Sequence, residues 1–255
     1  MDVVYLIGPF SSWNDNELRY SLRSLAKFAQ NLGHIYLVGY CPKWVNRQLV
    51  TYIPFEDKAG VHKAQNTFAK ATYVLDHPEL VPSDRFLISS DDHFLIRPTD
   101  FENYPIHYKG AHMPTRKDLG DRSIGGRNYV QAMVNTSDIM RWLHLSDLHF
   151  EGHANKIYDR NTWHYLNRIG FSCLAARFDG YLSLNAPMSA AFMKQHPDYP
   201  CVFRKDNKIE HFSSRDDLLK QIGDTWSFSI GDSAIQDGIG DYLQELFPKK
   251  CIFEV

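Results

Sequence analysis

Short apolar runs alternate with stretches of helical period along the first hundred residues. Residues 2–7 are β-branched and apolar, the pattern of a buried strand. The run stops at Gly8-Pro9, a turn signal. Asn14 and Asp15 then offer caps for a helix carrying Leu18, Leu22, Leu25 and Ala29 at helical spacing, and Gly33 supplies its stop. Residues 35–38 predict a second strand, 51–54 a third, and 61–75 a helix. Residues 85–89, centred on Phe86-Leu87-Ile88, predict another buried strand. This rhythm predicts an α/β fold with a mostly parallel, Rossmann-type sheet and helices on both faces. Sheets of that kind bind ligands at the carboxyl ends of their strands.

The second half is less regular and richer in helix. Residues 137–145 and 161–169 read as helices. Trp226, Phe228 and Ile230 alternate with polar residues as in a half-buried strand, and 232–247 read as one closing helix. No repeat, low-complexity tract or linker stands out, so one domain over 1–255 is expected.

Composition narrows the class. Of 255 residues, 44% are hydrophobic and 23% charged, which is ordinary for a globular chain and argues against disorder. A net charge of -2 is not the global footprint of a nucleic-acid binder, though a local basic groove stays open. Residues 1–5 lead straight into a strand, with no secretory pattern, and no apolar run approaches the roughly 18 residues of a membrane span. Cys41, Cys173, Cys201 and Cys251 are far apart, with no C-x-x-C pair. Zinc ribbons and dense disulfide frameworks are not expected, and reduced thiols in a cytosol are.

The sharpest chemical signal is Asp91-Asp92, directly after the 85–89 strand and followed by His93-Phe94-Leu95-Ile96. Two acids leaving a buried strand suit a divalent cation that bridges the phosphates of a nucleotide-sugar and offsets the charge of the leaving diphosphate. Asp92 reads as the metal ligand, and Asp91 as a group that bonds the ribose or orients the site. The plainer alternative is a turn with a capping Asp.

Several segments together resemble the Stealth family, a branch of GT-A-like glycosyl and sugar-phosphate transferases. They are Asp2-Val3-Val4-Tyr5, the run from Asn14 to Ser24 (NDNELRYSLRS), His34-Ile35-Tyr36-Leu37-Val38 with Pro42-Lys43-Trp44, and Phe86 to Phe94. Phe150-Glu151-Gly152-His153 with Tyr158-Asp159-Arg160 comes next, then Ser229-Ile230-Gly231-Asp232 with Phe247-Pro248 and Phe253-Glu254.

The resemblance implies a nucleotide-sugar-binding half over 1–100 and an acceptor and catalytic half over 101–255. The cofactors it implies are Mn²⁺ or Mg²⁺ and a nucleotide-sugar, with a UDP-sugar first among donors. Gly8, Asn16, Glu17 and Arg19 would border the donor, where a helix N-terminus suits phosphate. Lys63 and Asn66, three apart on one helix face, would contact nucleotide or donor. His153 would be a general base or bond a phosphate, with His112 the competing histidine. Arg160 would pair with the diphosphate through its planar fork, and Asp232 would have a site role beyond capping. Arg204, Lys205, His211 and Arg215 read as a mixed surface loop. Tyr104, Tyr108, Tyr129, Trp142, Trp163 and Trp226 include stacking platforms among mostly core rings.

The expected function is metal-dependent transfer of a sugar or sugar-1-phosphate to a hydroxyl acceptor, either a glycan or a hydroxymethylated pyrimidine in DNA. A non-catalytic nucleotide- or carbohydrate-binding module is the alternative from another class. A metal-dependent phosphohydrolase would need a second carboxylate cluster, which the sequence does not display.

Overall fold

The computed structural model describes residues 1–9, 11–119 and 124–255, with side chains described outside 124–128. Phe10 and residues 120–123 lie outside it. The elements in chain order are β1 (Asp2–Ile7), α1 (Asn16–Phe28), β2 (Ala29–Gln30), β3 (Ile35–Gly39), β4 (Val50–Pro54) and α2 (Lys63–Asp76). Next come β5 (Arg85–Ser89), β6 (His93–Leu95), β7 (Thr99–Asp100), β8 (Ile106–Tyr108), a 3₁₀ turn (Arg116–Leu119) and α3 (Ile124–Trp142). The remainder is β9 (Lys156–Asp159), α4 (Arg160–Arg168), α5 (Phe171–Ala176), α6 (Asn185–Gln195), β10 (Cys201–Phe203), β11 (Lys208–Ile209), α7 (Arg215–Ile222), β12 (Ser227–Ile230), α8 (Asp232–Gln236) and α9 (Ile239–Leu246).

The principal sheet has the order β4-β3-β1-β5-β9. Four strands are parallel, and β9 runs antiparallel to β5. The fold is therefore mixed α/β with a parallel-rich sheet. Val3, Val4 and Tyr5 are fully buried at its centre, and every residue of β3 is buried. This is why the strands read as unbroken apolar runs rather than as alternation. The strand order reverses between β1 and β5, and beyond the carboxyl ends of such a pair, here Ile7 and Ser89, sheets of this type form their crevice.

A second sheet, β11-β12-β6, stands beside this crevice. Only three residues separate Ser89 from β6, so the 90–92 turn links the two sheets. Phe94 faces Phe228 across the β6–β12 pair with ring centroids 5.3 Å apart. Such a pair contributes about 0.5–1.5 kcal/mol beyond its buried area. A one-residue slip of either strand would turn its ring to the opposite face and break the contact, so the pair also fixes register. These rings belong to a core distinct from the principal one, built from β6, β11, β12 and α7–α9. Helix α1 serves both cores. Leu18, Leu22 and Leu25 enter the principal core, and Tyr20 enters the second.

Three expectations change in the structure. The closing helix is two, α8 and α9, broken at Gly238, whose φ of +90° leaves the helical region. The alternating strand around Trp226 is buried throughout as Ser227–Ile230, because Phe228 and Ile230 enter the second core while Ser227, on the other face, takes the Arg204 guanidinium. The helix expected at 137–145 is the end of the longer α3. The four cysteines are free thiols. Among the described residues no helix is long and apolar enough to cross a membrane.

Candidate functional site

Asp91 and Asp92 lie in the turn that carries the chain from β5 to β6, and both ends of the turn are pinned. The His93 amide donates to the Ser90 carbonyl at 3.3 Å, and the Ile230 amide donates to the Asp92 carbonyl at 3.3 Å. Glu17, on the first turn of α1, is 8% exposed, and its charge reaches Asp91. Burial, together with the charges of Asp92 and Glu17, holds Asp91 well above the usual carboxylate range. Among the described residues none of these three acids is ion-paired with Lys or Arg. Three acids without a counter-cation suit an added one. Their oxygens match Mg²⁺ or Mn²⁺, which commonly takes one or two carboxylates and completes its shell with waters and substrate phosphates. The described residues present no group of three or more His, Cys, Asp and Glu side chains placed to hold a metal by themselves.

The loop before α1 is built around Ser11. Its hydroxyl donates to Glu17 Oε2 at 2.8 Å and accepts from the amides of Trp13 (3.1 Å) and Asp15 (2.8 Å). Asn14 and Asp15 both take left-handed φ angles, +54° and +59°. Asn and Asp tolerate this region best among non-glycine residues, but two in succession store strain. Asp15 is the N-cap by position, without a capping side-chain bond. The residue that turns the chain and holds Glu17 is Ser11.

A chain of histidines leaves the acids on the other side. His93 Nε2 is 3.7 Å from Asp92 Oδ1, and the His93 and His153 rings are 6.3 Å apart, edge to face. The Asp206 carboxylate accepts from the His153 amide and from its ring Nδ1, both at 2.9 Å, and from Lys109 Nζ at 2.8 Å. Burial works against the Asp206 charge, yet the bonds from His153 and Lys109 outweigh it and hold the acid far below its usual range. The sequence links His153 to the acid pair only through the family resemblance; the structure supplies the physical link, His93.

The other expected site residues divide. Asn16 opens α1, and its amide donates to the Trp13 carbonyl at 3.1 Å. Gly8 is exposed just past β1, at the crevice. Arg19 and Arg23 are both taken by Glu254, at 2.8 and 2.6 Å, and Arg19 also lies 4.2 Å over the Trp44 ring. Lys63 is exposed at the start of α2, and Asn66 holds both main-chain groups of Lys58. Asp232 is exposed at the start of α8, two residues beyond the Ile230 amide that bonds Asp92. Arg160 is set apart. Its amide bonds Asp84 before β5, at the amino edge of the sheet, roughly 16 Å of strand from Ser89. Its guanidinium donates to the carbonyls of Val74, Val81 and Ser83, leaving its fork occupied by main chain. His112 pairs with Asp147 at the surface. Of the candidate platforms, Tyr129 and Trp142 are exposed, while Tyr104 and Trp163 are core.

Sequence reading passed over a second group of residues. Lys70 is 3% exposed, and its Nζ donates to the Ile7 carbonyl at 2.9 Å and pairs with Asp57 at 2.6 Å. It passes so close to Gly39 (φ +106°) that a Cβ there would sit 2.7 Å from Lys70 Cε. Lys70 thus closes the carboxyl edge of β1 and β3, one helical turn from Asn66. Lys156 is 5% exposed beside the Glu151 and Asp206 charges, and burial pulls its ammonium down to about 8. Arg204, expected on a surface loop, carries its guanidinium 4.4 Å over the Trp226 ring and donates to Ser227 Oγ at 2.7 Å.

Comparison with models of protein families finds no match, and comparison with curated proteins finds none either.

Proposed function

We propose that this chain is a divalent-metal-dependent transferase that moves a sugar or sugar-1-phosphate from a nucleotide-sugar to a hydroxyl acceptor, on a GT-A-like variant of the α/β fold. The observation that carries the reading is the uncompensated acidic group, Glu17, Asp91 and Asp92, at the point where the order of the parallel sheet reverses. Asp92 and Asp91 would hold the cation, which when bound supplies positive charge to the donor phosphates. Ser11 keeps Glu17 and the entry to α1 in place at the donor side. Asp206 accepts from His153 Nδ1, which fixes the tautomer and leaves Nε2 to take the proton of the acceptor hydroxyl. Attack at the anomeric carbon would release a nucleoside diphosphate, and attack at the β-phosphate a nucleoside monophosphate.

A hydroxymethylated pyrimidine in DNA is the second reading of the acceptor. Phe203, 62% exposed, packs edge-on to Tyr108 at 5.7 Å, with the exposed Lys205 two residues on. An exposed ring beside a cation is the composition of a base-binding surface.

The test is incubation with Mn²⁺ and a panel of nucleotide-sugars, then chromatography of the released nucleotide, with Asp92→Ala as control. Metal-dependent release that the variant loses supports a transferase, and the nucleotide released distinguishes the two reactions. No release, together with no donor binding by calorimetry in the presence of metal, overturns the reading in favour of a non-catalytic module.

A further inference from the structure

His93 opens β6 directly after Asp92. Phe94 turns into the second core, so the alternation of the strand sends His93 to the opposite face, where Ser229 stands across from it. His93 Nδ1 is buried without a hydrogen-bond partner, and so is the Ser229 hydroxyl. His93 Nε2 lies 3.7 Å from Asp92 Oδ1, beyond hydrogen-bond reach. The imidazole is 13% exposed and the Asp92 side chain 28%, so the space between the two atoms is within reach of a small solute.

A mostly buried imidazole with neither nitrogen bonded is a costly arrangement, and it calls for a reason. The spacing is one that two ligands of a single ion can span. Bonds from carboxylate oxygen and imidazole nitrogen to a divalent cation are about 2.0–2.2 Å long, so one ion can touch both atoms. A ligating imidazole also passes its other N–H to an acceptor, often a water, which fixes the ring and its tautomer. His93 shares with Ser89, Asn155 and Ser227 the lining of a recess of about 10 Å³, which is room for one water. The Ser89 hydroxyl donates to Asn155 Oδ1 at 3.0 Å, so its own oxygen is left to accept from such a water.

We infer that His93 is a ligand of the cation: Nε2 joins Asp92 Oδ1 on the ion, and Nδ1–H is given to a water in the recess. This ligation presupposes the metal-dependent reading above and sharpens it, because the ligand atom selects the ion. Mg²⁺ demands oxygen, whereas an imidazole nitrogen turns the preference toward Mn²⁺ and, further along the series, Co²⁺. Asp92 and His93 fill two positions, with the charges of Asp91 and Glu17 close by. Waters and the donor phosphates complete the shell, so no cage of three protein ligands is required.

The test is pulsed electron paramagnetic resonance on the full chain with Mn²⁺ below stoichiometry, alone and with uridine diphosphate, beside calorimetry with Mn²⁺ and with Mg²⁺. The spectrum is expected to carry the nitrogen coupling of a directly bound imidazole, and Mn²⁺ to bind at least about ten-fold more tightly than Mg²⁺. His93→Gln is expected to remove the coupling and to weaken Mn²⁺ by about ten-fold or more while changing Mg²⁺ little. A histidine with only a structural role would give no coupling, and its loss would weaken both ions alike. His153→Gln is expected to keep the coupling, and it assigns the nitrogen should His93→Gln fail to fold. Bound Mn²⁺ without nitrogen coupling, or a coupling that survives His93→Gln, overturns the role of His93 and leaves the transferase reading standing. Failure to bind Mn²⁺ in either condition removes the metal-dependent reading and the role of His93 together.

Discussion

Arg23 and Glu254, 231 residues apart, form a forked ion pair: Nε and Nη2 of the arginine meet the two carboxylate oxygens at 2.6 and 2.9 Å. The Glu254 side chain has no exposed surface, and its carboxylate also takes Arg19 at 2.8 Å and the Cys251 amide at 3.0 Å. Glu254→Ala would leave two arginines facing a void. A loss of about 3 kcal/mol is expected, measured by urea unfolding. Donor affinity, measured by calorimetry on the folded variant, is expected to stay near the wild-type value, because these arginines serve the fold.

Asp206→Asn tests the orientation of His153. The amide can no longer hold Nδ1–H as a charged acceptor, and it leaves Lys109 without its partner. Turnover is expected to fall by at least about 100-fold, with donor Kd little changed and with an altered pH–rate profile. A parallel rise in donor Kd would place Asp206 in binding instead.

Acid should weaken the fold through His107 and His149. Their folded pKa values, about 3 and about 4, lie below the ordinary value near 6.5, so the unfolded chain takes up protons first as pH falls. Stability is expected to be fully present above about pH 6.5 and to decline between there and about 4, by up to about 1.4 kcal/mol per pH unit for each group. Replacing both by Phe is expected to make that limb shallower, the remainder coming from His93, whose ring burial likewise holds down to about 4, as read by thermal unfolding.

Lys156 predicts a second slope at the alkaline end. Its folded pKa of about 8 lies below the ordinary value of 10.5, so the unfolded chain binds more protons between those limits. Stability therefore rises with pH from about 8 to about 10.5. Lys156→Met is expected to remove the slope and to raise stability at pH 7 by at most about 3 kcal/mol.

The principal sheet and the acid pair were legible in the sequence because each rests on neighbours in the chain. An unbroken run such as Phe86-Leu87-Ile88 has to be buried, and the polar residues after it have to emerge at a strand end. The arginines were not legible in the same way. A guanidinium fork fits phosphate, carboxylate and carbonyl equally well, and the partners of Arg23 and Arg160 lie 231 and 77–86 residues away. The group of Lys109, His153 and Asp206 was illegible for a related reason. Lys109 and Asp206 are 97 residues apart, and His107 and Arg204 are as distant in the chain, so their pairing depends on β8 lying beside β10. Two strands of three residues each leave no periodic trace of that pairing. Lys70 alone left a usable signal, as a lysine one turn from Asn66 among the buried positions of α2.

Helix α1 gives the molecule something close to a mechanical linkage. Glu17 reaches the acids, Leu22 is seated in one core and Tyr20 in the other, all within six residues of one rigid rod. A rod gripped at both sides cannot shift at one without moving the other. Cavity-forming changes in the second core, at Leu243 or Phe228 for example, should therefore move Glu17 relative to Asp91 and Asp92. For anyone reshaping this chain, the packing behind α1 is a tuning knob for the site, and the part of the protein that looks most like plain scaffold is also its adjustment screw.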